Sequence, residues 1–144
     1  MGRDFFRTVV KGLITHDGDV LIGQKAQSEG HPISGEWHLL GGHVGHDERV
    51  ERAMRREARE ETGLDVTVET LVDVMTFAWG DGRRDSLQIL YHCEARSRDA
   101  TARDDLQAVE WVAPERLTER LFDEEADRVA TRPRQAAFLA DLRE

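Results

Sequence analysis

The stretch from Asp47 to Thr62 constrains this chain more than any other, because it reads as a helix with an inner face that apolar packing alone does not explain. Val50, Ala53, Met54 and Ala58 fall on one stripe at helical spacing, and Gly63 is the expected stop. Glu57 and Glu61 point within roughly 40° of that same inward direction. Glu60 lies on one shoulder of the stripe and Arg56 just beyond it. Glu60 and Glu61 occupy the last turn, where the helix dipole disfavours negative charge, and Glu57 and Glu61 repel each other at i, i+4. Together these effects cost about 1 kcal/mol before any burial is added. A solvated helix laced by pairs such as Arg56–Glu60 and Glu48–Arg52 explains Arg49, Arg52, Arg55 and Arg59, but not the inward glutamates. A bound cation would explain them, since hard divalent ions take carboxylate and carbonyl oxygens.

The rest of the chain supplies a frame for that helix. Its 144 residues suit one domain, 1–144, large enough to bury a core without staples. Phe5 to Ile14 reads as a strand, and His16-Asp17-Gly18-Asp19 as a hairpin turn leading to Val20-Leu21-Ile22. Gln24 to Gly35 reads as a loop. Trp37 to Leu40 is a short strand expected to end at Gly41-Gly42. Strands follow at about Val66 to Ala78 and Ser86 to Ala95, around a turn at Gly80-Asp81-Gly82, and again at Val109 to Val112. Ala113-Pro114-Glu115 looks like a helix start, and the tail from Glu124 to Leu142 is helical with an interruption at Pro133. This order implies an α+β fold, a mixed sheet with helices packed on it.

Charge and cysteine content narrow the functional classes. Twenty-nine acidic residues against twenty basic ones give a net charge of −9, which opposes nonspecific binding to nucleic acid or anionic lipid. An anionic substrate would then need cations to mediate its approach. The only lysines are Lys11 and Lys25; acid excess with little lysine would also suit a salt-adapted host. No apolar run approaches the length of a membrane helix, and Met1 to Arg7 carries charges where a signal peptide would be apolar. The lone Cys93 fits a reducing compartment and small core filling. The expectation is a cytoplasmic protein.

The segment Gly42 to Leu64 resembles the signature of the Nudix hydrolase family, G-x5-E-x7-R-E-U-x-E-E-x-G-U with U aliphatic. Gly42, Glu48, Arg56, Glu57, Ala58, Glu60, Glu61, Gly63 and Leu64 match it. Gly35 and Trp37 before the double glycine, and Glu110-Trp111 late in the chain, are also common in the family. The resemblance implies an α/β/α sandwich whose mixed sheet carries the signature helix on one face. It also implies hydrolysis of a nucleoside diphosphate linked to another group, such as a nucleoside triphosphate or nucleotide sugar.

Roles carry over position by position. Glu57, Glu60 and Glu61 would bind Mg²⁺ or Mn²⁺ with help from the Gly41 carbonyl. Arg56 would hold the carboxylates, and Glu48 would support Arg56 or an outer water. Glu57 is the base candidate within the signature; Asp104, Asp105 and Glu110 are candidates from a later loop. This chain departs from many members in having Leu40 where they have proline, Gly45 where they have glutamate and Asp47 where they have glycine, which leaves the number of ions open.

The chemistry suits these residue types. Metal ions neutralise phosphate oxygens and lower the pKa of water, and a carboxylate takes the proton. The expected partner is an anionic, nucleotide-type small molecule, with no nucleic acid or membrane, and a homodimer is a possible assembly. The alternative is a catalytically inactive Nudix-fold module that senses a nucleotide; an isoprenoid diphosphate isomerase of related fold has no support beyond Cys93. His31, His38, His43 and His46 read as loop histidines, since no cysteine or further histidine completes a closed zinc site. Phe77, Trp79 and Trp37 are candidates to stack on a base, although packing is the plainer use of each. Arg83 and Arg84 could reach a phosphate from a hairpin tip. Phe138, Leu139 and Leu142 read as residues that dock the last helix.

Overall fold

The protein is described here by a computed structural model covering residues 5–79 and 84–144. The turn at Gly80-Asp81-Gly82, Arg83, and the side chains of Trp79 and Arg84 lie outside the described residues. Six strands form one sheet: β1 (Phe5–His16), β2 (Asp19–Lys25), β3 (Trp37–His43), β4 (Val66–Trp79), β5 (Arg84–Ala95) and β6 (Leu106–Val112). Their spatial order is β4-β5-β1-β3-β2-β6. The sheet is mixed, because β1 runs parallel to β5 while the other pairings are antiparallel.

Local chemistry explains the β1–β2 turn. Asp17 and Gly18 both hold positive φ, 51° and 87°, which is the conformation a two-residue hairpin turn of the mirror-image type requires. Beyond the turn the two strands separate. Thr15 and His16 pair with Val20 and Asp19, after which β3 slides between them, pairing Ile22 with Leu39 and Gly12 with Leu40.

Alternation along the strands builds two cores. Val10, Ile14, Leu21 and Leu40 face helix α1 (Val50–Thr62), packing on Ala53, Met54 and Ala58. Leu13, Val20, Ile22 and Leu39 face the other way, toward α2 (Leu117–Arg120), α3 (Asp123–Thr131) and α4 (Pro133–Leu142), meeting Leu117, Val129 and Leu139. Helices therefore cover both faces of the mixed sheet, in the expected α+β sandwich. Cys93 is fully buried, its thiol pushed up to about 12 by desolvation, and it serves as core filling. Leu139 is buried, and Phe138 and Leu142 pack beside it, so all three dock α4. Among the described residues no helix is long and apolar enough to cross a membrane.

Several boundaries differ from the expectation. The strand β3 does not end at the double glycine but runs through it to His43, with Gly41 opposite Lys11 and Gly42 opposite Val10. Rather than stopping the strand, the glycines permit close packing. A Cβ on Gly41, whose φ is +152°, would lie 2.0 Å from the Val10 carbonyl oxygen. Helix α1 begins at Val50 rather than Asp47, because Asp47 holds φ 57° in a turn. Glycine, which the family resemblance implies at that position in many members, would hold this left-handed backbone without strain. The segment after Ala113 is a single turn of 3-10 helix, Pro114–Arg116, leading into α2, and Pro133 separates α3 from α4 by opening the latter.

Candidate active site

The double glycine and helix α1 meet at one wall of a cavity of about 560 Å³. Helix α1 is stopped by Gly63 in the left-handed conformation at φ 78°, and the stripe of Ala53, Met54 and Ala58 pins it to the sheet. That anchoring fixes where the inward glutamates go. Glu61 is 5% exposed, and its Oε1 accepts a hydrogen bond from the Gly41 backbone N–H at 3.0 Å. Glu57 is half-buried against Gly42, where a Cβ would come within 2.6 Å of its carboxylate. The absence of side chains at 41 and 42 is therefore what lets both carboxylates reach the sheet.

Arg56 ties the acidic residues together. Its Nε and Nη2 donate to the two oxygens of Glu48 at 2.7 and 3.0 Å, and Nη2 also donates to the His43 carbonyl at 2.9 Å. Its Nη1 donates to Glu57 Oε2 at 2.9 Å and to Glu60 Oε1 at 3.0 Å. Glu48 in turn accepts from the Gly45 N–H at 2.8 Å. These Arg56 and Gly45 hydrogen bonds hold the Glu48 carboxyl at about 2. A Cβ on Gly45 would approach Glu48 Oε1 to 3.2 Å, so glycine leaves Glu48 free to take its place beside the arginine.

The inner carboxylates behave oppositely. Desolvation, followed by the charge of Glu57, raises Glu61 to about 8 despite nearby Lys11 and the Gly41 hydrogen bond. Desolvation also raises Glu57, more than Arg56 lowers it, with Glu60 and Asp104 adding to the rise. A half-buried and a buried acid, beside a backbone that allows close approach, form an all-oxygen donor set. That chemistry fits a hard divalent cation. Glu60, half-exposed and drawn to Arg56, stands on the outer side. Among the described residues no three acidic, histidine or cysteine side chains form a ready-made ion cage.

The later acids separate. Asp104 and Asp105 line the cavity, Asp104 in a turn with φ 57°. Asp105 is paired with Lys25, and although burial pushes its carboxyl up, that lysine brings it below the ordinary value. Glu110 is not on a loop: it lies on β6 opposite Ile22, held by Arg120, and does not line the cavity.

The histidines are also redistributed. His38 is a buried β3 residue, and His43 ends that strand at the cavity, its Nε2 3.2 Å from Arg7 Nη1. Only His31 and His46 occupy loops. Trp37 packs on the second core with Arg120 5.1 Å above its ring, which leaves packing as its role. Phe77 does line the cavity.

Sequence reasoning missed Lys11, Gln88 and Glu125 as cavity residues. Lys11 Nζ donates to the Leu39 carbonyl at 2.9 Å and lies 3.6 Å from Glu125 Oε2, whose partner oxygen accepts from the Leu39 N–H at 2.6 Å. The scarcity of lysine was the available signal: both lysines of the chain line this cavity.

Comparison with known proteins matches the chain to one family and one fold. The family model described as NUDIX domain matches residues 6–133. A Salmonella schwarzengrund protein named nucleoside triphosphatase NudI is 36% identical over 126 residues, spanning 81% of this chain and 87% of that protein. A crystal structure of a MutT NUDIX hydrolase from Burkholderia pseudomallei superposes with a TM-score of 0.71 at 27% identity, covering 83% of this chain and 92% of the other. A MutT protein from Methanosarcina mazei shares the fold, with a TM-score of 0.76 at 20% identity over 92% and 99% of the two chains.

Proposed function

The chain belongs to the Nudix hydrolase family, and from that premise we propose that it is a divalent-metal-dependent pyrophosphohydrolase of nucleoside triphosphates or related nucleoside diphosphate derivatives. The observation that carries the reading is the pair of inward carboxylates, Glu57 and Glu61, seated against Gly41 and Gly42 at the cavity wall. The named activity of the Salmonella relatives points to a triphosphate first.

In this reading Glu57, Glu60 and Glu61, with the Gly41 carbonyl, would hold Mg²⁺ or Mn²⁺. The ion would neutralise phosphate oxygens and make bound water more acidic. The remaining work belongs to the protein. Arg56 positions Glu57 and Glu60 through one shared nitrogen, while Glu48 keeps the guanidinium in place. Glu57 receives a proton from the attacking water as the new oxygen–phosphorus bond forms and the bridging phosphorus–oxygen bond breaks. Its seat against Gly42 beside Glu61 suits that role better than the place of Asp105, which is held by Lys25. Lys11 and Lys25 are both paired, with Glu125 and Asp105, and acids outnumber basic side chains in the cavity lining, so an anionic substrate depends on the divalent ion to neutralise it.

The test is a screen of nucleoside triphosphates, nucleotide sugars, ADP-ribose and dinucleoside polyphosphates, with products identified and each assay run in Mg²⁺, Mn²⁺, Ca²⁺ and excess chelator. Turnover in Mg²⁺ or Mn²⁺, with little in Ca²⁺ and none in chelator, is expected, because calcium is larger and geometrically looser. Full activity in chelator would overturn the metal requirement. No turnover of any of these compounds would overturn the substrate class.

A further inference from the structure

The sheet face turned away from α1 carries a buried acceptor that the proposed hydrolysis does not use, and the strand register fixes what surrounds it. Gln88 of β5 stands between Val9 of β1 and Met75 of β4. This is the side of α4, whose Gln135 Nε2 lies 3.5 Å from the Met75 sulfur. Phe77 is two residues along β4 from Met75, so it shares that face and sits diagonal to Gln88. Such diagonal pairs lie roughly 7–8 Å apart, within reach of long and aromatic side chains.

Gln88 is 2% exposed and lines the cavity, yet its Oε1 has no hydrogen-bond partner. A buried acceptor left unpaired is costly. The row across the sheet explains why no side chain there completes it. Those of Val9 and Met75 have nothing to donate, and His43, the next polar side chain in the row, is two strands from β5, or about 10 Å. The missing donor must come from the cavity. A phosphate at neutral pH brings only acceptors. A ribose hydroxyl can donate but gains nothing from the platform alongside, where the Arg128 guanidinium lies over the half-buried Phe77 ring, 4.6 Å from its centre, and both residues line the cavity. Aromatic rings and arginine planes are surfaces on which nucleobases stack, and a base also carries N–H groups on its rim.

We propose that Gln88 and Phe77 are specificity-determining residues for the substrate's base, Phe77 with Arg128 stacking on its ring and Gln88 Oε1 accepting a hydrogen bond from one of its N–H groups. This rests on the nucleotide reading above. The cavity lining continues from Gln88 through Val9 and Lys11 to Gly41, where Glu61 is seated, so the phosphates of a bound nucleotide point toward the carboxylates.

The test needs neither metal nor turnover. The full chain in chelator is titrated, by NMR, with uridine, cytidine, adenosine and guanosine, and with the derivative of each in which every base N–H is methylated. The nucleoside that binds best should lose at least about tenfold on methylation, the effect of leaving one buried acceptor unpaired. In Gln88→Met, which keeps the volume but removes the acceptor, parent and methylated compounds should bind within about threefold of each other. Gln88→Leu gives the same comparison should the methionine variant not fold. Phe77→Leu should weaken the parent nucleoside at least about fivefold, the lower end of what one base–aromatic stack contributes.

Equal binding of parent and methylated compounds overturns the proposal, because Gln88 then serves water or a ribose hydroxyl. A gap that persists undiminished without the Gln88 acceptor also overturns it, since methyl bulk alone would explain that result. Unchanged affinity in Phe77→Leu overturns the stacking. Binding of no nucleoside, alongside turnover in the metal screen, overturns the base site while leaving the hydrolase standing. Failure of the hydrolase reading would appear separately, as no turnover in that screen while the binding gap remained.

Discussion

Replacing Glu61 by glutamine should stabilise the metal-free protein at pH 8 and leave it nearly unchanged at pH 4.5. Burial, and behind it the charge of Glu57, lift this carboxyl from 4.5 to about 8. The unfolded chain releases the proton near 4.5, so across that window the folded state binds a proton that the unfolded state has lost. Stability therefore falls as pH rises from about 4.5 to about 8, and this group removes no more above it. At about 1.4 kcal/mol per pH unit, the interval sets a ceiling of roughly 5 kcal/mol. Relaxation and water penetration around a buried charge reduce such penalties, so about half the ceiling is the expected gain.

Glutamine preserves the volume and keeps an oxygen for the Gly41 N–H. For a chain of this size the gain corresponds to a rise in Tm of roughly 5–10 °C at pH 8. Thermal unfolding of both proteins in chelator at pH 4.5, 6, 7 and 8 reads it directly. Saturating Mg²⁺ should then shift the wild-type protein upward more than the variant, because an ion that binds only the folded state stabilises it. A difference in Tm that does not grow with pH, or a variant that melts lower than wild type at pH 8 in chelator, would refute the reasoning.

Glu57→Gln should lose most turnover without lowering Tm in chelator, and near-wild-type rates would remove Glu57 from the site. Asp105→Asn and Glu110→Gln should each cost only a few-fold in rate, since Lys25 and Arg120 hold these carboxylates; a loss of about 10²–10⁴ at Asp105 would make it the base instead. Gly41→Ala and Gly42→Ala should separate fold from chemistry. The first drives a Cβ into the Val10 backbone at a positive φ and should lower the denaturation midpoint sharply. The second first meets the Glu57 carboxylate, the far end of a flexible side chain, so the fold should hold while the rate falls. Equal melting and equal rates for both variants would contradict that division.

The parts of this protein legible in its sequence are those that neighbouring residues decide. The stop at Gly63, the Asp17-Gly18 hairpin and the inward placement of Glu57 and Glu61 all follow from spacing within a few residues. So does the link from Arg56 to Glu60, one turn apart on the same helix. The family signature was readable for the same reason, since its residues lie on one continuous stretch, from the end of β3 through a loop and α1 to the turn after it.

Tertiary structure decided what distant segments do to one another. The passage of β3 through Gly41 and Gly42 depends on how closely the Val10 backbone approaches. The rise of Glu61 to about 8 depends on burial against the sheet, although the repulsion from Glu57 was visible beforehand. Lys11 meets Glu125, Gln88 joins the cavity that His38 also lines, and Glu110 is withdrawn by β6, all through contacts between remote parts of the chain. A side chain's neighbours along the sequence set its direction, but its solvation and partners depend on which strands pair and which helices cover them. Those pairings are selected by the cooperative burial of both cores, a property of the whole chain rather than of any window within it.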